Sequence, residues 1–384
     1  MNYLKSIVPF GIFLLASVDV DAQSRNWLSE LPDNVALREL SIPGAHDAAT
    51  GSGFASSSAL GALFSGITQS LTLSQQWDAG IRAFDLRPTY KENADGKLQI
   101  YHGVLETKVS LKAALQTLVD ALQSNPRETA LVLVRHESDG DDNSAEWAPA
   151  MSSLLEEFGD NIAEFSPSLT LGDVRGKMVI LSRDSFSSDK VGMIAGWNHS
   201  ENFDSQKRAT VARGRDRAVL YAQDFYECQT VERKFQTVKT LLDYSTTHTS
   251  GSSWVINHTS GYVGSMGTNS NVLNLAKEIN LQVADYLSTT EPGRTGIMIL
   301  DFAGAKSKDN VSLYGDVLVD RIISQNLRYV DNGQSSVSDL LQDEDGGFDD
   351  RVYDLHGRCL GKGADMLTKL PAGIYIYNRK KIIL

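Results

Sequence analysis

Histidine and aspartate stand side by side at His46-Asp47, and a second histidine follows at His102 within Tyr101-His102-Gly103. Between them lies Phe84-Asp-Leu-Arg-Pro88, which sets a carboxylate and a guanidinium two residues apart. An imidazole titrates near neutrality and can take or give a proton. An arginine fork matches two oxygens of a phosphate. A base, an acid and a cation delivered to one cleft are what cleavage of a phosphodiester requires. Pro43 and Gly44 fix the backbone just before the His-Asp pair.

Such groups need a frame. From Arg82 to Phe302 short apolar runs alternate with helical stretches. Candidate strands are Ile81 to Leu86, Leu98 to Tyr101, Ala130 to Arg135, Met178 to Arg183, Ala218 to Gln223, Ser253 to Asn257 and Ile297 to Asp301. Near-continuous apolar runs of this length suit strands buried on both faces. Leu111, Leu115, Leu118, Val119 and Leu122 recur at helical spacing, and 145–158, 231–243, 273–288 and 311–325 also read as helices. Strands alternating with helices imply parallel pairing and an α/β fold, a closed or nearly closed β/α barrel. Active sites of such barrels lie at the carboxyl ends of the strands. Charged or polar residues stand there in succession: Asp85 and Arg87, His102, Arg135 and Glu137, Arg183, Asp224 and Tyr226, Asn257, then Asp301.

The chain has 384 residues, 41% of them apolar, enough for a sizeable core. Its net charge of −12 argues against nucleic acid or an anionic surface held by bulk electrostatics, so an anionic substrate needs a local arginine cluster. Residues 1–22 read as an export signal, with Lys5, the apolar run Ile7 to Leu15 and Ala22 at the cleavage point. The expected location is secreted, periplasmic or cell-surface. A barrel is expected over 23–332, an acidic linker over 333–351 and a small β-rich appendage over 352–384. Cys228 and Cys359 could pair or stay free, since two distant cysteines make no framework.

Ser41 to Asp47, Gly80 to Arg87, His102-Gly103, Asn125 to Thr129, Gly176 to Arg183, Gln223 to Tyr226 and Asp301-Phe302 resemble, in order, successive motifs of bacterial phosphatidylinositol-specific phospholipase C. The resemblance covers roughly residues 30–330. It implies a distorted TIM-like barrel that splits an inositol phospholipid by attack of the sugar's own 2-hydroxyl on phosphorus. Diacylglycerol and inositol 1,2-cyclic phosphate are the implied products. His46 would be the general base, Asp301 its orienting carboxylate and His102 the acid on the departing glycerol oxygen. Each proton transfer contributes about 10²- to 10⁴-fold. Arg87 would grip the phosphate oxygens, with Asp47 holding Arg87 and His102. Asp85 is expected as an outer partner or a weak ligand, counted with the substrate-binding residues. By the same resemblance Arg135, Arg183 and Asp224 would hydrogen-bond the inositol ring, and Tyr226 would stack on it. Arg135 stands where the family leads one to expect lysine, which changes donor geometry.

With arginine two residues after Asp85, catalysis without metal or cofactor is the expectation. Relatives that use calcium would gather acidic oxygens round the phosphate instead. Rival readings are a calcium-dependent phosphodiesterase of the same barrel type, a metal-dependent barrel acting on glycerophosphodiesters, and a catalytically idle inositol-lipid or glycan binding module. The idle module should have lost a histidine or Arg87. His136, His248, His258 and His356 lack comparable company and read as surface or core, and His199 carries no assignment. Expected partners are an inositol phospholipid or a glycosyl-phosphatidylinositol anchor, with transient membrane contact. Candidates for that contact are the apolar residues within 54–64 and the loop after Trp254 with Tyr262 and Met266. The tail, Val352 to Arg358 and Leu370 to Leu384, is similar to C-terminal sorting domains of Bacteroidetes secreted proteins.

Overall fold

A computed structural model describes residues 26–55, 66–197, 199, 208–247, 252–263, 269–291, 293–333, 351–353, 359–370, 374–377 and 380–383. The proposed export signal, most of the acidic linker, His248 and His356 lie outside these residues. The chain divides into two compact units, one ending at Gln325 and the other beginning at Asn326. That division falls earlier than the expected 332.

The first unit is built on a closed barrel of nine strands. In chain order they are β1 (Ser41–Ala45), β2 (Ala83–Leu86), β3 (Ala130–Val134), β4 (Met178–Ser182), β5 (Gly192–Ala195), β6 (Arg208–Arg213), β7 (Asp216–Gln223), β8 (Trp254–His258) and β9 (Gly296–Leu300). Strand β9 pairs with β1 to close the ring, with Ala45 opposite Leu300. Strands β3, β4 and β9 are near-continuous Ala, Val, Ile, Leu and Met. Every residue of β1, β2, β3, β4, β8 and β9 is buried, as a sheet with an inner filling and an outer helical jacket demands. The barrel class and its α/β character are as the sequence implied.

Three features depart from the expected pattern. Strand β1, with Pro43 and Gly44 in it, was not among the expected strands, yet it is a full barrel strand. Gly44 is what permits this: a Cβ there would lie 2.6 Å from Ile299 Cδ1 and 2.9 Å from Ala83 Cβ. Second, Leu98 to Tyr101 is not a barrel strand. It belongs to Leu98–His102, in a three-stranded antiparallel sheet with Pro88–Tyr90 and Leu105–Ser110. A tight connection through Gly96 and Lys97, both at positive φ, leaves no room for the crossover that parallel pairing needs. Third, pairing is not uniformly parallel. Strand β6 runs antiparallel to both β5 and β7. Neither β5 nor β6 was legible, because Gly192–Ala195 is only four residues long and Arg208–Arg213 interleaves arginine and threonine with its apolar residues.

Helices follow the apolar spacing. Helix α1 (Leu73–Asp78) starts from a Thr72–Gln75 capping box. In α2 (Leu111–Ser124), the Ser110 side chain accepts from the Ala113 N–H, and Leu111, Leu115, Leu118, Val119 and Leu122 are buried. The longer ones that follow are α3 (Trp147–Glu157), α4 (Val231–Thr247), α5 (Asn269–Thr289) and α6 (Gly315–Ser324), and Leu171–Val174 forms a single turn.

The second unit holds a helix, Leu327–Gly333, and a four-stranded antiparallel sheet. Its strand order is Cys359–Lys362, Arg351–Tyr353, Ile374–Tyr377, Lys380–Ile383.

Candidate active site

Apart from His102, the candidate residues gather at the carboxyl ends of the barrel strands. His46 follows β1 and its N–H donates to Leu300 O (2.9 Å), which locks it to the end of β9. Asp301 is the next residue after β9. The His46 Nδ1–H donates to Asp301 Oδ1 at 2.8 Å, leaving Nε2 as the working nitrogen. Asp301 Oδ2 in turn accepts from Gly261 N (3.0 Å). Burial lowers the affinity of His46 for a proton, but the nearby Asp47 and Asp301 carboxylates more than offset it, and its pKa is raised to about 9.

Asp47 adopts a left-handed backbone, φ +43°, which turns its carboxylate back into the barrel mouth. Oδ1 lies 2.9 Å from Arg87 Nε, and Oδ2 lies 3.2 Å from His46 Nε2 and 3.5 Å from His102 Nε2. One buried carboxylate therefore faces both imidazoles and the guanidinium. None of these contacts is aligned as a hydrogen bond, so both oxygens remain unsatisfied among the described residues. Burial opposes ionisation of Asp47, and the positive Arg87, His46 and His102 reverse that, so its pKa lies below the usual carboxylate range.

Arg87 follows β2 and is buried. Its Nε and Nη2 donate to Asp85 Oδ2 at 3.2 and 2.9 Å, and Nη1 lies 3.9 Å from Glu137 Oε2. Burial alone would weaken its charge, yet Asp47, Asp85 and Glu137 hold it firmly protonated. Asp85 is kept ionised against its burial chiefly by Arg87. Glu137 is pushed up by burial, which Arg87 and Arg135 only partly offset.

His102 arrives from outside the barrel, at the end of the antiparallel strand Leu98–His102. Its Nδ1–H donates to Gly66 O (3.0 Å), and its ring centroid lies 6.5 Å from that of His46. The two imidazoles thus face one space from different elements.

A second cluster lies beyond β4 and β7. Asp224 Oδ2 accepts from Trp197 Nε1 (2.9 Å) and lies 3.0 Å from His199 Nδ1 and 3.5 Å from Arg183 Nη1. The Arg183 guanidinium lies over the Trp197 ring, 4.4 Å from its centroid. Burial pushes Arg183 down to about 10, although Asp224 opposes the shift. Asp224 stays ionised well below its ordinary value despite burial. Tyr226 is exposed and packs edge-on against His199. Arg135 follows β3 and is half-buried beside Glu137.

The structure therefore brings together His46, Asp47, Asp85, Arg87, His102 and Asp301 in one cluster, and Arg183, Asp224 and Tyr226 in an adjoining one. Sequence reasoning missed three residues at this mouth: Trp197 and His199, which follow the unrecognised β5, and His258, which ends β8. His258 had been read as surface or core. It is buried, but its ring lies 6.1 Å from His46 and its Nδ1 3.7 Å from Asp224 Oδ1. Asn257, also at that strand end, is turned outward instead, donating to Val238 O (3.0 Å). Cys228 is a buried free thiol.

His46, Asp47 and Asp85 each offer a ligand atom within 4.8 Å of the others, spacing that suits a cation. Arg87 bridges the two carboxylates of that set and already supplies a positive charge there.

No family model matches the chain. A segment of 182 residues is 32% identical to the 1-phosphatidylinositol phosphodiesterase of Listeria monocytogenes, spanning 45% of this chain and 55% of that protein. A 302-residue alignment with the enzyme of the same name from Staphylococcus aureus is 25% identical, over 75% of this chain and 91% of the relative. Among solved structures, the S. aureus phosphatidylinositol-specific phospholipase C superposes with a TM-score of 0.66 at 20% identity, over 78% of this chain and 97% of that one. The L. monocytogenes counterpart gives 0.58 at 24% identity, over 79% and 98%. Collinear motifs, barrel topology and these likenesses agree: the chain is similar to the bacterial phosphatidylinositol-specific phospholipases C and shares their barrel fold.

Proposed function

We propose that the chain is a phosphatidylinositol diacylglycerol-lyase, cleaving inositol phospholipid to diacylglycerol and inositol 1,2-cyclic phosphate. The observation that carries this reading is the Asp47 carboxylate set among His46, His102 and Arg87, because it gives one phosphate a base, an acid and a charge partner at once.

His46 Nε2 takes the proton of the ring 2-hydroxyl while that oxygen bonds to phosphorus. The bond from phosphorus to the glycerol oxygen breaks, and His102 gives its proton to that oxygen. Asp301 fixes the His46 tautomer and stabilises the imidazolium that forms. Arg87 neutralises the non-bridging oxygens as charge redistributes. Arg135, Arg183, Asp224 and Tyr226 select the head group by hydroxyl contacts and ring stacking.

The test is a phosphorus NMR time course on phosphatidylinositol vesicles, with and without chelator. Cyclic inositol phosphate should precede any open form, at the same rate in both arms. Direct release of the open monoester would make water the nucleophile. Chelator-sensitive activity restored by calcium would instead favour the His46, Asp47 and Asp85 set as a cation site.

The substrate presents itself at a membrane surface, and glycosyl-phosphatidylinositol anchors fit the same head-group contacts. Among the described residues no helix is long and apolar enough to cross a membrane. Of the expected contact residues, Phe54 is buried, Tyr262 is half-buried, and Leu60, Leu63, Phe64 and Met266 lie outside the described residues. Val104, two residues after His102, is 68% exposed and is the better candidate. Action outside the cytoplasm is supported by the apolar N-terminal run, and a sorting role for the C-terminal sheet by its motif resemblance.

A further inference from the structure

His258 ends β8, is only 1% exposed, and has no part in the proton transfers. Its Nδ1 lies 3.1 Å from Ser260 Oγ and 3.7 Å from the anionic Asp224 Oδ1. A neutral imidazole carries one proton, and beside a carboxylate that proton belongs on Nδ1. Burial keeps the ring neutral, lowering its pKa to about 3 against the pull of Asp224. Nε2 is then a bare acceptor, and among the described residues it has no hydrogen-bond partner. An unsatisfied buried acceptor is destabilising, so an occupied state with a donor there is favoured.

The surroundings say which donor. His258 lines a small enclosed cavity with Asp85, Arg183 and Trp197, walled by Leu133 and Leu181. His46 neighbours both other imidazoles, with ring centroids 6.5 Å from His102 and 6.1 Å from His258. His102 faces Asp47, where the phosphate is handled, whereas His258 faces Asp224 and Trp197, where the ring is held. Starting from the hydroxyl that His46 deprotonates, one direction leads to phosphorus and the other to the next ring carbon.

We propose that His258 is a specificity-determining residue whose Nε2 accepts a hydrogen bond from the ring hydroxyl adjacent to the attacking one, the 3-hydroxyl of an inositol head group. The assignment rests on the reading of the chain as an inositol-phospholipid lyase. A site built to bond a hydroxyl rejects the analogue lacking it, because its own buried acceptor is left unpaired.

The experiment compares kcat/KM for phosphatidylinositol with that for its 3-deoxy, 4-deoxy and 5-deoxy analogues, in wild type, His258→Phe and His258→Gln. Wild type should favour the parent over the 3-deoxy analogue by about tenfold, the worth of one neutral hydrogen bond. In His258→Phe that preference should fall to within about twofold, with preferences over the 4- and 5-deoxy analogues unchanged. His258→Gln places an amide near the Nε2 position and should restore part of it. Each preference is a ratio within one protein, so partial unfolding of a variant lowers both rates alike. An undiminished 3-deoxy preference in His258→Phe, or a loss falling on another hydroxyl, overturns the assignment while leaving the lyase reading intact. Absence of phosphatidylinositol cleavage by wild type overturns both.

Discussion

His46 is the residue whose environment sets the pH behaviour. In its proposed role as base it must be neutral, and against its burial Asp47 and Asp301 together raise its pKa to about 9. The limb of kcat/KM that reports His46 therefore rises with pH and levels near that value. Asp301→Asn removes one of the two carboxylate charges, so this limb should move to lower pH while turnover falls; a pH–rate profile that stays in place would dissociate Asp301 from His46. His46→Ala and His102→Ala should each lower kcat by at least ~10³-fold at unchanged thermal midpoint, the general acid–base magnitude. Arg87→Lys replaces a fork that spans Asp47 and Asp85 with a point charge, and turnover should drop by ~10²-fold. These residues were legible because histidine, arginine and aspartate in a collinear order carry a chemical meaning of their own. His258, Trp197 and His199 were not legible, since a lone imidazole or indole acquires meaning only from what the fold sets beside it.

At the level of elements, the site depends on how strand ends are held from behind. Gly261 follows β8 at φ +149°, and a Cβ there would stand 2.5 Å from Tyr226 O. The same residue's N–H holds Asp301 Oδ2. Gly261→Ala should therefore displace the Asp301 clamp, lowering both the melting temperature and kcat, measured by thermal unfolding and initial rates. Behind β7, the fully buried Lys234 of α4 donates to Phe225 O (2.6 Å) and lies 3.4 Å from Gln223 Oε1. Gln223 Nε2 donates to Asn257 Oδ1 and His258 O, so one ammonium steadies the ends of β7 and β8 together. Lys234→Met leaves that carbonyl unpaired and should cost about 1–3 kcal/mol of stability. It should also raise KM more than it lowers kcat, because Asp224 shifts and His46 does not. Parallel strands were readable from continuous apolar runs such as Ala130–Val134 and Gly296–Leu300. Strand β1 was not, because Pro43 and Gly44 signal a turn, and only the close approach of Ile299 and Ala83 explains the glycine.

For the whole molecule, every residue given a role lies between His46 and Asp301, inside the unit that ends at Gln325. A chain shortened after Gly333 should keep its turnover within about twofold in a detergent-micelle assay. The ring of strands also carries its two tasks on different arcs. Asp301, His46 and Arg87 follow β9, β1 and β2, whereas Arg183 and Trp197 follow β4 and β5, ahead of the one strand that runs backwards. Because β6 pairs antiparallel with β5, that pairing itself requires no crossover helix, unlike the parallel pairs around the rest of the ring. Sugar preference in such a molecule can drift or be transplanted while the cyclising step stays untouched. Exchanging the stretch between Ala195 and Arg208 for that of a relative with different taste should alter the head-group preference and leave the ratio of cyclic to open phosphate where it was.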